Sequence, residues 1–278
     1  ADPDYPDKIS PLADPYLSVH PGDVITHING EPTLSHTGMG ALLRNQAGKQ
    51  VRLGITGNGA ARDVIVVPTD NEPSLRYSDW EYGRRMEVEK KGNGKIGYVH
   101  LRAMGSNDIS QWYREFYPVF NRQGLIIDAR TNRGGNIDSF ILEKLMRKAW
   151  FYFSPRAGNP TWNMQYAFRG HMVVLVNQNT ASDGEAFAEG FRRLGLGKVI
   201  GMRTWGGEIW LGSQNRLSDG GLARAPMTGV YGPERKWLIE GHGVVPDIEV
   251  DNLPHATFLG KDAQLDAAIQ HLQALMRE

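Results

Sequence analysis

The most informative absence in this 278-residue sequence is that of cysteine. Without cysteine the chain has no disulfide, no thiolate nucleophile and no cysteine-ligated zinc, and it tolerates either redox environment. An excess of either charge is missing too, because 31 Lys and Arg side chains balance 31 Asp and Glu side chains. A balanced chain has no basic field that attracts nucleic acid or anionic lipid, so we expect no nucleic-acid partner.

Long apolar runs and ligand-binding motifs are also missing. The apolar run 172–176 is far shorter than the roughly 18 residues that a membrane-spanning helix needs, and the polar start of the chain is unlike a signal peptide. No H-E-x-x-H motif or comparable cluster is present, and the glycine-rich turn at 128–136 has neither glycine spacing of a phosphate-binding loop. We therefore expect no membrane span, no catalytic metal and no cofactor.

Glycine, in contrast, is abundant, with 33 residues where an average chain of this length carries about 20. Such a surplus predicts many tight turns and loops in which backbone amides can approach a ligand closely. The length is sufficient for one large domain or two modest ones that need no covalent staple. We expect two.

The first 72 residues predict a small β domain. A turn at Pro21 precedes a period-two strand at 24–28, which ends in an Asn-Gly turn. A short helix at 37–45 and strands at 51–56 and 63–67 follow. This order resembles a PDZ domain, but the room before Pro21 is too short for the first strands of that domain. We therefore predict a PDZ-like domain over 1–72, truncated at its start, and a polar, aperiodic linker over 73–94.

Residues 95–278 alternate strands with helices, which predicts a layered α/β domain and a mixed α/β (α+β) class for the whole chain. The pattern closes with an amphipathic helix at the C-terminal end. The expected strands are 96–101, 125–130, 172–176, 198–201 and 245–250, and the expected helices are 109–120, 137–150, 183–194 and 263–276.

Two strand-to-helix turns in this domain could carry chemistry. Ser182 begins a helix, where backbone N–H groups point outward and negative charge is favoured. With Glu185 three residues later, however, Ser182 also forms an ordinary capping box. The turn that contains Gly134 and Gly135 could offer an oxyanion donor, or it could be a plain β-to-α turn. Together the two turns indicate a nucleophile beside glycine amides.

Seven short motifs follow one another through this domain. They are Gly97-Tyr98-Val99-His100, Leu125-Ile126-Ile127-Asp128, Asn132-x-Gly134-Gly135, Ala181-Ser182-Asp183-Gly184, Leu194-Gly195-Leu196-Gly197-Lys198, Gly201-x-Arg203-Thr204-Trp205-Gly206-Gly207 and Gly243-Val244-x-Pro246-Asp247. In combination they resemble the C-terminal catalytic region of the tricorn protease family, serine peptidases related to tail-specific (carboxyl-terminal processing) peptidases. The PDZ-like segment stands where that family keeps its PDZ domain. The resemblance implies a peptidase domain with crotonase-like and ClpP-like character.

The resemblance also implies roles for individual residues. Ser182 would be the nucleophile, the Gly135 and Asp183 amides the oxyanion hole, and Glu240 the glutamate end of the relay. The base would be a histidine from a region upstream of the PDZ domain that this sequence does not contain, so the chain alone is expected to be nearly inactive. Tail-specific peptidases use a lysine instead, but Gly207 stands at the lysine position, which excludes a serine-lysine dyad on this chain.

Histidines within the chain are weaker candidates for the base. His242 lies two residues beyond Glu240, and only geometry decides whether it reaches the nucleophile. His100 lies inside a predicted strand and is expected to be a packed core residue.

Two aromatic residues are candidates for substrate binding. Trp205 is expected to line a cleft, although amphipathic aromatics often only cover the edge of a core. Phe153 belongs to the run Phe151-Tyr152-Phe153-Ser154-Pro155-Arg156, where the family carries an acidic residue. The departure favours an apolar P1 residue in the substrate over a basic one.

The resemblance implies as partners a peptide or unfolded-protein substrate, the upstream region and further copies of the protein in a homo-oligomer. It implies a cytoplasmic location, while a periplasmic or secreted one stays open. A non-catalytic peptide-binding module or an inactive peptidase relative is the alternative. A crotonase-type enzyme for acyl thioesters is a third possibility, which lacks an adenine-nucleotide motif.

Overall fold

The computed structural model describes residues 5, 9–57 and 59–277, with the side chains of 59 and 60 left out. The chain divides into two compact units, 1–84 and 85–278. Each unit has a hydrophobic core of its own. Within the described residues, no helix combines the length and the apolar character that a membrane span requires.

The first unit contains a four-stranded antiparallel sheet in the order β2-β1-β3-β4. Its elements are β1 (Val24–Ile28), β2 (Glu31–Pro32), α1 (Met39–Leu42), β3 (Val51–Gly57) and β4 (Gly59–Val66). Asn29 and Gly30 join β1 to β2 with φ values of 51° and 89°, which a tight hairpin turn requires. Alternate residues of β3, Val51, Leu53 and Ile55, are buried, so period-two patterning builds this core. The strands expected in this unit are present.

The segment expected to be an aperiodic linker, 73–94, is mostly helical. Helix α2 runs from Glu72 to Lys91 and includes the boundary between the two units. Pro73 fits the first turn, where its missing N–H costs nothing, and an ion pair at i,i+4 joins Glu72 to Arg76 at 2.6 Å. Near its end Val88 is fully buried in the core of the second unit. Charged residues occupy most positions of the helix, so apolar residues do not recur at the helical spacing from which it could have been predicted.

The second unit is built on a five-stranded parallel sheet in the order β13-β10-β9-β6-β5. The sheet strands and main helices are β5 (Ile96–His100), α3 (Asp108–Phe116), β6 (Gly124–Asp128), α4 (Asp138–Leu145), β9 (His171–Val176), α5 (Asp183–Arg193), β10 (Gly197–Gly201), β13 (Ile248–Glu249), α6 (Pro254–Phe258) and α7 (Ala263–Leu275). The predicted layered domain is therefore confirmed, although α4 ends at Leu145 rather than at 150 and β13 is shorter than 245–250.

Both faces of this sheet are buried, as expected of parallel strands. In β6, Leu125 and Ile127 face one apolar cluster with α3, α4 and α5, whereas Ile126 faces a second cluster with α7. Because both faces are buried, the strands are continuous runs of apolar residues.

Two small hairpins lie outside the sheet: β7 (Tyr152–Phe153) with β8 (Thr161–Trp162), and β11 (Ile209–Leu211) with β12 (Pro226–Gly229).

A buried ion network fixes the end of β6. Arg130 donates to Asp128 at 2.7 Å and to Asp262, the residue before α7, at 2.8 Å. Burial alone would raise the pKa of Asp262, but the Arg130 guanidinium lowers that pKa to about 2. Tyr98 in β5 adds a hydrogen bond to Asp128 at 2.8 Å. The network ties the start of the β6–α4 turn to β5 and to α7.

Candidate active site

Ser182 lies between β9 and α5 in a backbone conformation that few residues other than glycine adopt. Its φ is 52° and its ψ −128°, and holding a serine in such a region costs about 1–3 kcal/mol. Glu185 forms a capping box here, because its side chain accepts from the Ser182 N–H at 2.9 Å, and its own N–H bonds at 2.7 Å to the carbonyl oxygen of Ser182. The cap does not account for the strain, and a strained strand-to-helix turn is how α/β-hydrolases expose a nucleophilic hydroxyl.

The β6–α4 turn packs directly against Ser182. A Cβ on Gly134, whose φ is +80°, would lie 2.5 Å from the Cβ of Ser182 and 3.0 Å from its Oγ. Asn132 fixes the contact, because its side chain accepts from the Gly134 N–H at 2.8 Å and its carbonyl accepts from the Ala181 N–H at 2.9 Å. Only glycine fits at 134, and the two candidate turns are neighbours.

Two N–H groups in these turns have no acceptor among the described residues, those of Gly135 and Asp183. Gly135 lies so close to the preceding loop that a Cβ on it would be 1.9 Å from the Met104 carbonyl oxygen, so a side chain is excluded there. Asp183 is the first residue of α5, at the positive end of the helix dipole. Free, fixed N–H groups are what an oxyanion hole requires.

The Glu185 carboxylate joins the Ser182 turn to the loop 204–207. Its Oε1 accepts from the Thr204 hydroxyl at 2.6 Å and from the Gly206 N–H at 2.7 Å. Its Oε2 accepts from the Ser182 N–H at 2.9 Å and from the Gly207 N–H at 3.0 Å. The side chain is fully buried, and four donors offset the cost of burying its charge. Glu185 therefore holds the backbone of Ser182 in place.

Gly207, at the dyad-lysine position of the related peptidases, shares the Glu185 Oε2 with the Ser182 N–H. The position is thus beside Ser182. Because it is glycine, no ammonium group reaches Oγ from it.

Glu240 is half-buried in the loop after the second hairpin. Its Oε2 accepts from the Glu208 backbone N–H at 2.6 Å. Glu208, which follows the loop 204–207, therefore orients the carboxylate of Glu240, the residue that the family resemblance implies as part of the relay.

Two further carboxyl groups nearby hold protons more tightly than usual. Burial, and then repulsion by Asp138, raises the pKa of Asp183 to about 7. Burial, and then the charges of Asp183 and Glu185, raises the pKa of Glu208 to about 7. Asp183 Oδ2 also accepts from the N–H groups of Ile137 and Asp138, at 2.8 and 3.0 Å. These contacts join the starts of α4 and α5.

The two histidines considered as bases, His242 and His100, lie in other surroundings. Nδ1 of His242 lies 2.8 Å from the carbonyl oxygen of Gly243, and His100 is fully buried in β5 with Nδ1 3.9 Å from Asp128. Among the described residues, no histidine nitrogen hydrogen-bonds to Oγ of Ser182. The same part of the chain has no cluster of His, Asp and Glu that would hold a metal ion.

The two aromatic candidates are both exposed. Trp205 is 64% exposed, and its backbone N–H donates to the Thr180 carbonyl oxygen at 3.0 Å, next to the Ser182 turn. Phe153 is 53% exposed and packs edge-on against Phe151 in the β7–β8 hairpin. A substrate role for either residue stays a prediction.

Sequence reasoning missed two parts of this arrangement. It treated Glu185 only as a helix cap, whereas the structure gives its carboxylate three further donors in another loop. It did not single out Glu208 at all. The Ser-x-x-Glu spacing was a signal for the first, but nothing local marks the second, because its surroundings are made by tertiary contacts.

Known family profiles match both parts of the chain. The profile of Peptidase family S41 matches residues 95–250, and that of the Tricorn protease PDZ domain matches residues 1–71. Tricorn protease homolog 1 of Streptomyces coelicolor is 39% identical over 275 residues, which are 98% of this chain and 26% of the relative. Tricorn protease of Thermoplasma acidophilum is 35% identical over 252 residues, 90% of this chain and 24% of the relative.

A crystal structure of the tricorn protease superposes with a TM-score of 0.85 at 34% identity, covering 95% of this chain and 26% of that one. The chain therefore spans about a quarter of the length of the relatives that it matches.

Proposed function

Because the chain belongs to peptidase family S41, we propose that it supplies the nucleophile and the oxyanion hole of a serine peptidase that cleaves peptides through an acyl-enzyme on Ser182. The observation that carries this proposal is the strained Ser182 turn packed on Gly134, next to two N–H groups that find no acceptor in the described part of the chain. Every helix start has free N–H groups, but an ordinary cap requires neither the strain nor a second free donor in a neighbouring turn.

In the proposed reaction, Ser182 Oγ attacks the scissile carbonyl carbon while its proton passes to a histidine base. The oxyanion that forms accepts hydrogen bonds from the N–H groups of Gly135 and Asp183. The histidine then protonates the leaving amine, and water hydrolyses the acyl-enzyme by the same route. Loss of one oxyanion donor typically lowers the rate by about 10² to 10³.

The base in this proposal is a histidine outside the described residues, from a region that precedes the PDZ-like unit in the family. The absence of a hydrogen bond between Oγ and any described histidine supports this choice. Glu240 would orient and balance that histidine, and its fixed Oε2 supports this role. The chain alone is then expected to be nearly inactive, because losing the base costs more than losing a donor.

The proposed substrates are peptides or unfolded proteins with an apolar P1 residue. The exposed rings of Phe153 and Trp205 support the apolar preference, since each offers exposed aromatic surface. We further propose that the full-length protein is a homo-oligomer in the cytoplasm.

The test is peptide hydrolysis by the longer parent protein that contains this chain together with its upstream region. Peptides with apolar, basic and acidic P1 residues are compared in the wild type, in Ser182→Ala and in Ser218→Ala, a control at an exposed serine. We expect Ser182→Ala alone to abolish hydrolysis and the apolar P1 peptide to be cleaved fastest. Hydrolysis that survives Ser182→Ala would refute the nucleophile. Peptide binding without cleavage by the wild type would favour a binding module.

A further inference from the structure

Glu208 has a buried carboxyl group that the proposed reaction does not use. The residue is 3% exposed, and its Oε2 has no hydrogen-bond partner among the described residues. Buried carboxylate oxygens are normally paired, because an unpaired one gives up its hydration without compensation. An orphaned oxygen at this place calls for a physical reason.

The backbone of Glu208 has a clear partner. Its N–H donates to Glu240 Oε2 at 2.6 Å. The preceding residues, Gly206 and Gly207, are bonded through their own N–H groups to the Glu185 carboxylate. The donor that holds Glu240 is thus part of a segment that is fixed to the Ser182 turn through Glu185.

The charges that raise the pKa of the Glu208 carboxyl most are those of neighbouring carboxyl groups. They belong to Asp183 and Glu185 at the start of α5, to Asp138 at the start of α4 and to Glu240. Burial first, and then these like charges, disfavour ionisation and raise the pKa of Glu208 to about 7. Near neutral pH, the carboxyl therefore changes between a neutral and an ionised form.

We propose that Glu208 is a positioning residue for Glu240, which it holds through its backbone N–H while its own carboxyl is neutral and releases when that carboxyl ionises. The inference rests on the proposed function in one respect, the place of Glu240 in the relay. The contact between the two residues stands independently of that function.

The release follows from the cost of an unpaired buried charge. Within the described residues, an ionised Glu208 carboxylate has no donor for Oε2, and it faces the like charge of Glu240. Turning the side chain toward water relieves both costs. Because the side chain and the N–H belong to the same residue, this movement pulls the donor away from Glu240 Oε2. Gln cannot ionise and has nearly the same shape as neutral Glu, so Glu208→Gln should keep the contact at every pH.

Amide hydrogen exchange in this 278-residue chain tests the contact without any activity. Protection of the residue 208 N–H, corrected for the intrinsic pH dependence of exchange, is followed by NMR from about pH 6 to about pH 8.5, on both sides of the group's pKa. We expect protection of this N–H, relative to that of the buried strand amide of Val174, to fall at least tenfold in the wild type and to stay constant in Glu208→Gln; dividing by Val174 removes any change in global stability. Constant protection in the wild type would overturn the proposal, even if the variant did not fold.

The pH profile of peptide hydrolysis by the parent protein is the second arm. Wild type and Glu208→Gln should be equally active near pH 6, and the variant should be up to about 30-fold more active near pH 8.5, where only a few per cent of Glu208 carboxyls stay neutral. A general loss of structure cannot produce such a gain at high pH. Parallel profiles would overturn the role in catalysis. Hydrolysis that is indifferent to Ser182→Ala refutes the proposed function instead, and the exchange experiment still decides the positioning.

Discussion

Replacing Glu185 with Gln is the most direct perturbation of the contacts that hold the Ser182 turn. The carboxylate accepts four hydrogen bonds, two on each oxygen, in a fully buried position. The Gln amide retains one acceptor oxygen, and its NH₂ group is a donor. Two of the four donors therefore lose their acceptor whichever way the amide turns.

Each buried donor left without a partner costs about 1–3 kcal/mol, so two of them cost roughly 4 kcal/mol. Removing the charge also relieves repulsion with Glu208, which returns about 1 kcal/mol at the dielectric of a protein interior. We therefore expect Glu185→Gln to lower the free energy of unfolding by about 3 kcal/mol.

Urea denaturation measures this loss as a lower midpoint with an unchanged slope, and hydrogen exchange of the β6 and β9 amides assigns it to the second unit. Glu143→Gln is the matched control, because Glu143 forms only an exposed ion pair with Arg147 at 3.4 Å. Such a pair contributes less than about 1 kcal/mol. A loss below about 1 kcal/mol in Glu185→Gln, or one equal to that of the control, would refute the reasoning.

Three further predictions concern stability. Asp262→Asn should lower the free energy of unfolding by about 3 kcal/mol, because Arg130 loses a buried charge partner. The pKa of Asp262 is about 2 in the folded protein, so its wild-type contribution to stability is present above about pH 4 and lost as pH falls through about 2. Urea midpoints measured over an acid titration check this. Glu208 behaves oppositely, because its pKa rises from 4.5 to about 7 on folding. Its contribution to stability is complete below about pH 4.5 and lost as pH rises through about 7, roughly 3 kcal/mol in all. In Glu208→Gln, urea midpoints measured between about pH 5 and pH 8 should therefore depend less on pH than in the wild type. Ser182→Gly should raise the free energy of unfolding by about 1 kcal/mol, since relief of strain exceeds the entropy cost of glycine. Ser182→Ala keeps the strain and should not show this gain, and thermal denaturation of both variants measures the difference.

Much of the second unit could be predicted from sequence because both faces of its sheet are covered. Double burial produces unbroken apolar runs such as Leu125 to Ile127, all fully buried, and the turns after them carry the small residues that close packing requires. Gly134 and Ser182 could therefore be paired as candidates before their contact was known. The strands of the PDZ-like unit could also be predicted, from the alternation of apolar and polar residues and from the turn at Gly30.

Other features depend on tertiary contacts that sequence does not display. Helix α2 has charged residues on most of its surface, so no apolar period marks it, although Val88 is buried. The φ of Ser182 cannot be inferred from a motif that fits an ordinary cap equally well. Glu185 and Glu208 acquire their significance from partners 19 to 32 residues away.

The central claim is that Ser182 Oγ is a nucleophile, and covalent labelling tests it most directly. The parent protein with its upstream region is treated with a fluorophosphonate and digested, and the modified residue is identified by mass spectrometry. We expect one adduct, on Ser182, which Ser182→Ala removes and Ser218→Ala does not. Peptide hydrolysis accompanied by an adduct on a different serine, or by no adduct on Ser182, would contradict it.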